Sequence, residues 1–525
     1  MLTLQANSLN WALEHALKYG DTDVFPLPFE YAAIQHDWQF LRSWLEQQNI
    51  LEWQVRPHRT LLSPKAKYGF RVITQLDPLD FIIFAATVRE IASDIEAFRV
   101  PINQNLVFSY RFAVDSNGQL FDPNIGYRTF IEQTQFLLED DEVEFVAVTD
   151  IADFYSRIYH HRLDNALQCA TSRQSHVRAI MHLLAGWNGT ETFGIPVGNA
   201  ISRLLAEITL SDVDEALLAN EVRFIRFNDD YRIFARSYAE AYRHITFLAE
   251  ILFRNHGLTL QPQKTDILKK EVFAHRYLPT PESLELDSLQ ERFDRLISAL
   301  KLADRYEKIN YNDLTTEQKE LVDSLNLFVL FNEQIEANNE PDLAIVRFVL
   351  RRMGQLGDAV LVDKILKNLD VLHPVFPDII QYFSNLRNLS AEKRSDIGAK
   401  VINLLENSII SELDYHRMWA LDLFTRSTEW DNENRFFALL GSSRDMLSRR
   451  KLILAMGRSS KRHWFQSQWR SLFDEPHWPR RALLAGASCM APDARKHWYR
   501  SVEARLDPLE KAVMKWARQN PFGSL

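Results

Sequence analysis

The sequence has few cysteines, and this scarcity excludes several kinds of site. Cys169 and Cys489 are the only two in 525 residues. Neither a disulfide framework nor a cysteine-based zinc site is therefore expected, and a reducing cytoplasm suits the chain. No stretch approaches the roughly 18 uninterrupted apolar residues that span a membrane. The first ten residues also lack the charged-then-apolar pattern of a signal peptide.

The chain also lacks a surplus of basic residues. Its formal net charge is −9 and its isoelectric point is near 6.0. Binding to long nucleic-acid duplexes depends mainly on neutralising phosphates. Any nucleic-acid groove must therefore be locally basic, and a short, captive or self-made nucleic acid suits this charge better than indiscriminate duplex binding.

The most informative segment present is Phe227-Asn228-Asp229-Asp230, between two short β-prone runs at residues 222–225 and 231–235. Asn and Asp tolerate the backbone angles of tight turns, so the pattern predicts a β-hairpin. Two adjacent carboxylates are costly to bury without a counter-charge, and a bound divalent cation supplies one. An isolated Asp-Asp pair is more often a solvated turn, so other segments must decide between these interpretations.

A third carboxylate, Asp150, follows an apolar and β-branched run at residues 145–148. That run predicts a buried strand, which would present Asp150 at its end. Mg²⁺ prefers oxygen ligands and is usually held by one or two carboxylates together with substrate phosphates. Two such ions, roughly 3.5–4 Å apart, can activate an attacking oxygen and stabilise a leaving one. Asp150, Asp229 and Asp230 are the candidate set for that chemistry.

Two further segments accompany these carboxylates. Residues 194–202 read Gly-Ile-Pro-Val-Gly-Asn-Ala-Ile-Ser. Two glycines and a proline predict a rigid turn whose backbone another molecule can approach closely. Residues 258–265, Leu-Thr-Leu-Gln-Pro-Gln-Lys-Thr, form a second turn that contains Lys264. Each segment by itself is equally typical of an ordinary loop.

The order of the four segments resembles the palm of a reverse transcriptase. Pro64-Lys65 with residues 69–73 resembles the part of the fingers that grips the incoming triphosphate. Ser-Arg-Leu-Leu-Ala-Glu at residues 202–207 and Tyr-His-His at residues 159–161 resemble the abortive-infection and other defence-associated bacterial reverse transcriptases. The resemblance covers roughly residues 25–280. The chain departs from the general pattern at Glu207, where many retroelement enzymes have Asn.

The resemblance implies an α+β fold, with right-hand polymerase fingers and palm built from an antiparallel sheet and helices. It also implies a Mg²⁺-dependent nucleotidyltransferase. Asp150 and Asp229 would hold two Mg²⁺ ions, with the Ile151 carbonyl as an additional ligand and Asp230 as a weaker one. We expect the protein to use dNTPs, to make a DNA product, and to bind RNA if it copies a template.

The resemblance also assigns nucleotide-binding residues. Lys65 and Arg71 would contact phosphates, and Gly198 would let the nucleotide approach the backbone. Tyr155 would be the steric gate that excludes a ribose 2′-hydroxyl, and Lys264 would donate a proton to pyrophosphate. A solvated Lys-Arg pair, a core aromatic and a structural lysine are the ordinary alternatives for these positions.

The second half of the sequence is organised differently. Pro279 and Pro281 disfavour helix and mark a break, so we predict domains at residues 1–280 and 285–525. Helical patterns dominate the second domain, and seven of the twelve tryptophans lie beyond residue 400. Similar Arg-containing segments begin at Arg417, Arg450 and Arg481. They indicate an all-α, HEAT-like repeat domain, with an irregular helical bundle as the alternative.

A basic and aromatic stretch lies within this half and includes Arg444, Arg449, Lys451, Lys461 and Trp464. Cations and aromatic rings can contact phosphates and bases. A solvated helix face over a Trp-rich core is the favoured interpretation.

The leading functional hypothesis is DNA synthesis in bacterial antiphage defence. It includes two modes, copying of an RNA and untemplated extension from a protein side chain, for which Tyr110, Tyr231 and Tyr242 are candidates. One alternative is a reverse transcriptase that copies an associated non-coding RNA or its own retroelement. Another is a catalytically silent RNA-binding scaffold, which the retained carboxylates disfavour. The helical half makes a homo-oligomer plausible, and no membrane partner is expected.

Overall fold

The computed structural model describes residues 1–66, 68–113, 117–278, 315–316, 319, 326–336, 341–387, 389–443 and 445–522. The chain forms two compact units. The first contains Met1–Thr60 and Val72–Thr280, and the second contains Leu61–Arg71 and Pro281–Leu525. The prolines of the predicted break, Pro279 and Pro281, lie outside the described residues.

Helices make up most of the first unit. They are α1 (Ala6–Tyr19), α2 (Glu30–His36), α3 (Trp38–Leu45), α4 (Pro78–Arg89), α5 (Ala92–Phe98), α6 (Tyr127–Leu138), α7 (Phe154–Arg157), α8 (His160–Ala170), α9 (Gln174–Asn188), α10 (Ala200–Thr209), α11 (Ser211–Ala219), α12 (Tyr238–Ile251) and α13 (Lys270–Tyr277). Helix α4 shows why they form where they do. Asp77 caps its first turn by accepting from the Leu79 amide, and Pro78 occupies the first helical position.

A four-stranded antiparallel sheet lies at the centre of this unit. Its strands are β3 (Phe145–Asp150), β4 (Phe224–Phe227), β5 (Asp230–Ala235) and β6 (Asp266–Lys269), in the order β4-β5-β3-β6. Val146 and Val148 of β3 pack into a core cluster with side chains of α6 and α13. The opposite face of β3 is buried as well, at Ala147 and Thr149. The predicted α+β fold is therefore confirmed.

A separate two-stranded sheet is formed by β1 (Arg59–Pro64) and β2 (Phe70–Gln75). The Lys65 amide donates to the Gly69 carbonyl at 2.8 Å and closes the connection between them. The tip of this hairpin, Leu61–Arg71, belongs to the second compact unit.

The described part of the second unit, apart from that hairpin tip, is helical. Its helices are α14 (Leu327–Glu336), α15 (Leu343–Leu356), α16 (Val362–Lys367), α17 (Leu369–Leu372), α18 (Phe376–Asn385), α19 (Ala391–Asn407), α20 (Asp414–Arg426), α21 (Phe436–Ser442), α22 (Met446–Arg458), α23 (Arg462–Gln468), α24 (His477–Gly486), α25 (Pro492–Val502) and α26 (Pro508–Gln519). This arrangement confirms the predicted all-α C-terminal region. None of the described helices is long and apolar enough to cross a membrane.

Helices α15, α18, α20, α22, α24 and α26 pack in succession, each against the next. Ion pairs recur along the stack, with Arg351 at 3.1 Å from Asp378, Arg417 at 3.2 Å from Asp445 and Arg480 at 3.1 Å from Glu510. The three segments whose similarity predicted a repeat lie on α20, α22 and α24. The stacking supports the repeat interpretation over an irregular bundle.

The basic stretch in this unit is largely committed to internal contacts. Arg449 lies 3.1 Å from Glu475, Lys451 pairs with Asp422, and Lys461 lies 3.0 Å from Glu433. Phe465 is fully buried, and Arg444 lies outside the described residues. These contacts favour a structural role for the stretch over nucleic-acid binding.

Candidate active site

The antiparallel sheet brings the three predicted aspartates together. Asp150, the last residue of β3, is paired directly with Asp230, the first residue of β5. Directly opposed residues in such a ladder have Cα atoms about 4.5–5.5 Å apart and side chains on the same face. Asp229 lies in the turn before Asp230, and its carbonyl accepts from the Ile151 amide at 3.1 Å. The carboxylates therefore come from adjacent backbone positions, although they are distant in sequence.

The hairpin that carries Asp229 is tight, as the sequence predicts. Phe227 pairs with Asp230, which leaves Asn228 and Asp229 as the two turn residues. Asn228 has a φ of 57°, in the left-handed region that Asn tolerates better than most residues. The Phe227 ring lies 5.4 Å from the Tyr127 ring and 5.9 Å from the Phe130 ring, and these contacts support the hairpin.

The carboxylates lie in a negatively charged and partly buried environment. Burial raises the pKa of Asp230 to about 6; Arg232 lowers it and the neighbouring Asp229 raises it. Asp150 Oδ2 pairs with the Lys264 ammonium group, whereas Asp150 Oδ1 is buried without a hydrogen-bond partner among the described residues. Asp229 Oδ1 accepts from the Asn228 side-chain amide. These groups are acceptors that a divalent cation can satisfy.

The predicted metal site fits a cation in the chemistry of its donors, but its atoms are not gathered around one point. Among the described residues, the group of three potential ligands within 4.8 Å of one another is His477, Asp507 and Glu510 in the helical unit. Glu510 there already accepts from Arg480 at 3.1 Å. In the sheet, a cation would compete with the Lys264 ammonium group for Asp150 Oδ2 and with the Asn228 side-chain amide for Asp229 Oδ1. Ile151 is buried beside them, and its backbone forms a bridge with Leu260.

Tyr155, the predicted steric gate, lies next to the hairpin. It is on the short helix α7, and its hydroxyl donates to Asn228 Oδ1 at 3.0 Å. Burial raises the pKa of this hydroxyl well above its usual range. The Tyr155 carbonyl accepts from the Ile195 amide at 3.1 Å, so the Gly-Pro loop is attached to the same helix.

His160 helps to hold this loop in place. Its Nε2 atom lies 2.8 Å from the Gly194 carbonyl, and the Asn188 side chain donates to the same oxygen at 2.8 Å. The Gly194 amide in turn donates to the Ile158 carbonyl at 2.8 Å. His160 therefore serves to position the backbone.

Gly198 occupies a position that few other residues can take. Its φ is +112°, and a Cβ atom there would lie 3.0 Å from Val24 Cγ2. Its carbonyl accepts from the Asp23 amide at 2.9 Å. Together with Asp23 and Arg203, Gly198 lines a cleft of about 300 Å³.

Lys65 and Arg71 lie on the β1–β2 hairpin tip, and both are exposed. This tip belongs to the second compact unit, whereas Asp150, Tyr155, Gly198 and Lys264 belong to the first. Within the second unit, Arg71 lowers the pKa of Tyr415, which burial raises to about 12.

Sequence reasoning missed a buried polar network beneath the hairpin. Its members are Arg99, Ser109, Glu207, Asp214 and Arg226, each at most 3% exposed. A signal was present, because Arg226 and Glu207 are charged residues inside apolar runs, and buried charges require partners. Which partners they have depends on the tertiary structure.

Comparison with known proteins identifies the domain that carries this site. Residues 66–278 match the family model described as "Reverse transcriptase (RNA-dependent DNA polymerase)". No curated protein sequence matches the chain at a significant level.

Solved structures are similar at a low level, and three telomerase structures are among them. A telomerase from Candida albicans, in complex with a fragment of telomeric RNA, shares 11% identity at a TM-score of 0.34; the match covers 74% of this chain and 70% of that one. A telomerase from Candida tropicalis in a similar complex shares 10% identity at a TM-score of 0.34, over 62% of each chain. The apo form from Candida tropicalis shares 13% identity at a TM-score of 0.33, over 79% of this chain and 73% of that one. Similarity at this level supports no conclusion about function.

The family match agrees with the order of motifs and with the sheet that joins them. Residues 66–278 therefore form a reverse transcriptase domain, and the chain is a nucleotidyltransferase of the RNA-directed DNA polymerase type.

Proposed function

We propose that the protein synthesises DNA from dNTPs with two Mg²⁺ ions held by Asp150 and Asp229, with Asp230 as a weaker ligand and the Ile151 carbonyl as an additional one. The observation that carries this proposal is the pairing of Asp150 with Asp230 across β3 and β5. When bound, the ions supply positive charge to the attacking and leaving oxygens. The chain contributes the alignment of the carboxylates and the exclusion of ribonucleotides.

Four further residues serve the nucleotide in this proposal. Lys65 and Arg71 contact phosphate oxygens, since a guanidinium group can form two parallel hydrogen bonds and an ammonium group adds a point charge. Gly198 leaves space for the nucleotide beside the backbone, and Lys264 is placed next to Asp150. Phosphoryl transfer depends mainly on such positioning and charge stabilisation.

The test is nucleotide incorporation by the purified chain with Mg²⁺, each dNTP, and added RNA or none. Asp229→Ala should reduce incorporation at least a hundredfold, because the lost carboxylate holds the metal ion. Asp141→Asn, a change at an exposed acidic residue, is the control and should retain activity. Incorporation by Asp229→Ala at the rate of the unchanged protein would refute the two-ion assignment.

The template requirement separates the two modes of synthesis. RNA-dependent incorporation supports copying of an RNA, whereas product formed without RNA supports untemplated extension. For extension from a protein side chain, Tyr110 is the best-placed of the candidate tyrosines. The Tyr110 ring lies 6.0 Å from the ring of Phe227, which belongs to the hairpin that carries Asp229.

A labelled product that stays with the denatured protein would show protein priming. Tyr110→Phe should then abolish the band of labelled protein on a denaturing gel. Tyr242→Phe, at an exposed position on α12, should leave this band unchanged. Retention of the band by Tyr110→Phe would exclude Tyr110 as the attachment site.

We further propose a role in bacterial antiphage defence. The support is the similarity of residues 202–207 and 159–161 to defence-associated enzymes. Phage should form fewer plaques on cells that express the chain than on cells that express Asp229→Ala. Equal plaque numbers across a phage panel would remove this role.

A homo-oligomer, the other proposed property, is tested by light scattering of the purified chain.

A further inference from the structure

Asn228 has all of its polar groups bound. Its amide donates to Ser109 Oγ at 2.7 Å, and its carbonyl accepts from Arg226 Nη1 at 2.9 Å. Its side-chain oxygen accepts from the Tyr155 hydroxyl, and its side-chain nitrogen donates to Asp229. The residue is thus held firmly in a left-handed conformation that it would otherwise adopt only part of the time.

The two groups that hold the Asn228 backbone are themselves held by one carboxylate, that of Glu207. Glu207 Oε1 accepts from the Ser109 hydroxyl at 2.5 Å. Glu207 Oε2 accepts from Arg226 Nη1 at 2.9 Å. One carboxylate oxygen is therefore connected through Ser109 to the Asn228 amide, and the other is connected through Arg226 to the Asn228 carbonyl.

The network around Glu207 is balanced in charge. Arg226 also contacts Asp214, at 2.9 and 2.5 Å, and Arg99 donates to Glu207 Oε2 at 2.7 Å. Arg99 also lies 3.2 Å from Glu96, which in turn lies 2.5 Å from Arg111, so three arginines face three carboxylates. Buried ions that are paired in this way hold a defined geometry, because each displaced partner leaves a charge unpaired.

Glu207 also joins the hairpin to the Gly-Pro loop. It lies on α10, which begins at Ala200, two residues after Gly198, and is capped by the Asn199 side chain. Displacement of this helix would move the carboxylate that supports Asn228. The hairpin and the loop are therefore connected through α10.

We propose that Glu207 is a positioning residue for the polymerase reaction. Through Ser109 and Arg226 it holds both backbone polar groups of Asn228, and so it sets the place of Asp229 relative to Asp150. This inference rests on the proposed function, since it assigns Asp229 the role of metal ligand. It gives a purpose to a carboxylate that is only 1% exposed.

Glu207, Ser109 and Arg226 together form a clamp on the Asn228 backbone. Ser109→Ala tests this clamp with the smallest change, because it removes one hydroxyl and leaves every charge in place. We expect Mn²⁺ to bind roughly tenfold more weakly by electron paramagnetic resonance, and kcat to fall roughly tenfold while KM for dNTP changes less than twofold. Ser8→Ala, at a serine that is also buried and accepts from Arg89, should retain both values. Unchanged Mn²⁺ affinity and kcat in Ser109→Ala would overturn the proposal.

Glu207→Gln provides a second test with its own control. It should weaken Mn²⁺ binding more than Ser109→Ala does, whereas Glu90→Gln, at a side chain that is 5% exposed and paired with His176, should leave Mn²⁺ binding unchanged. The combined Ser109→Ala and Glu207→Gln variant should bind Mn²⁺ no more weakly than Glu207→Gln alone, because both substitutions act through Asn228. If the two reductions in Mn²⁺ affinity multiply in the combined variant, the two residues do not act through a shared clamp.

Asp229→Ala distinguishes failure of the clamp from failure of the proposed function. If Asp229→Ala is inactive while Ser109→Ala resembles the unchanged protein, only the clamp is wrong. If Asp229→Ala remains active, the proposed function is wrong, whatever Ser109→Ala shows.

Discussion

Asp150 of β3 lies directly opposite Asp230 of β5, so the site depends on the register of two strands from distant parts of the sequence. A slip of one residue would turn Asp150 to the other face of the sheet and separate it from its partner. Strand β3 is paired with β5 along one edge and with β6 along the other, and both pairings hold it in this register. The sheet thereby determines the alignment of the carboxylates.

Tyr155 combines two contributions that substitution can separate. Tyr155→Ala removes the ring and should reduce discrimination between a dNTP and the matching rNTP by roughly 10–100-fold. Tyr155→Phe keeps the ring but loses the hydrogen bond to Asn228, so it should retain discrimination with a lower kcat. The ratio of steady-state kcat/KM values for the dNTP and the rNTP measures this discrimination. Full discrimination by Tyr155→Ala would show that another residue is the gate.

Lys264 competes with a metal ion for Asp150, since its ammonium group contacts Oδ2. Lys264→Gln should therefore bind Mn²⁺ several-fold more tightly, as expected when one partly exposed cation is removed. Lys269→Gln removes the same charge at the opposite end of the β3–β6 ladder and should change the affinity little. Calorimetric titration measures the affinities, and equal values for the two variants would contradict direct competition.

Gly198→Ala should destabilise the protein by about 1–3 kcal/mol, because its φ of +112° is unfavourable for any residue with a Cβ atom. Shortening the facing side chain by Val24→Ala should not restore stability, since the backbone strain remains. Gly126→Ala is the control, with an extended backbone and open space around the new Cβ. Urea denaturation measures the free energies of unfolding. A stable Gly198→Ala variant would show that the loop relaxes readily.

Asp21 should make stability depend on pH. Burial raises its pKa to about 7, although Gln75 and Arg59 lower it in part. Below pH 4 the carboxyl is protonated in both the folded and unfolded states, so its contribution to stability is complete. As the pH rises to about 7, the unfolded state releases this proton first and the stability falls, by about 1.4 kcal/mol for each unit of pKa difference.

Asp21→Asn should therefore lose less stability than the unchanged protein between pH 4 and pH 7. Melting temperatures across this range measure the difference. Asp80, whose pKa burial also raises to about 7, contributes a fall of the same sign to both proteins and cancels in the comparison. Parallel curves for the two proteins would show that Asp21 is already ionised when folded.

Much of the candidate site was predictable because its signals are local. The Asn-Asp turn, the strand that ends at Asp150 and the Gly-Pro loop each follow from a few neighbouring residues. Their order matches a family with a distinctive arrangement, which made the reverse transcriptase domain recognisable. The helical second half was predictable for a similar reason, since helical periodicity is read within a short window.

The contacts of these residues were not predictable in the same way. Lys264 was expected to donate a proton to pyrophosphate, and the structure pairs its ammonium group with Asp150. The basic stretch around Arg449 could have met nucleic acid, yet its cations pair with acidic residues about one repeat away. Each of these contacts depends on which side chain, distant in sequence, lies within hydrogen-bonding distance in the folded chain.

The amino-acid sequence by itself determined the chemical identity of the site and the local elements that present it, because turns, strands and helices depend on short-range preferences. Only the tertiary structure decided that the Glu207 carboxylate supports Asn228 through Ser109 and Arg226. Long-range burial brings those groups together, and a buried charge takes whatever partner the packing of the chain supplies.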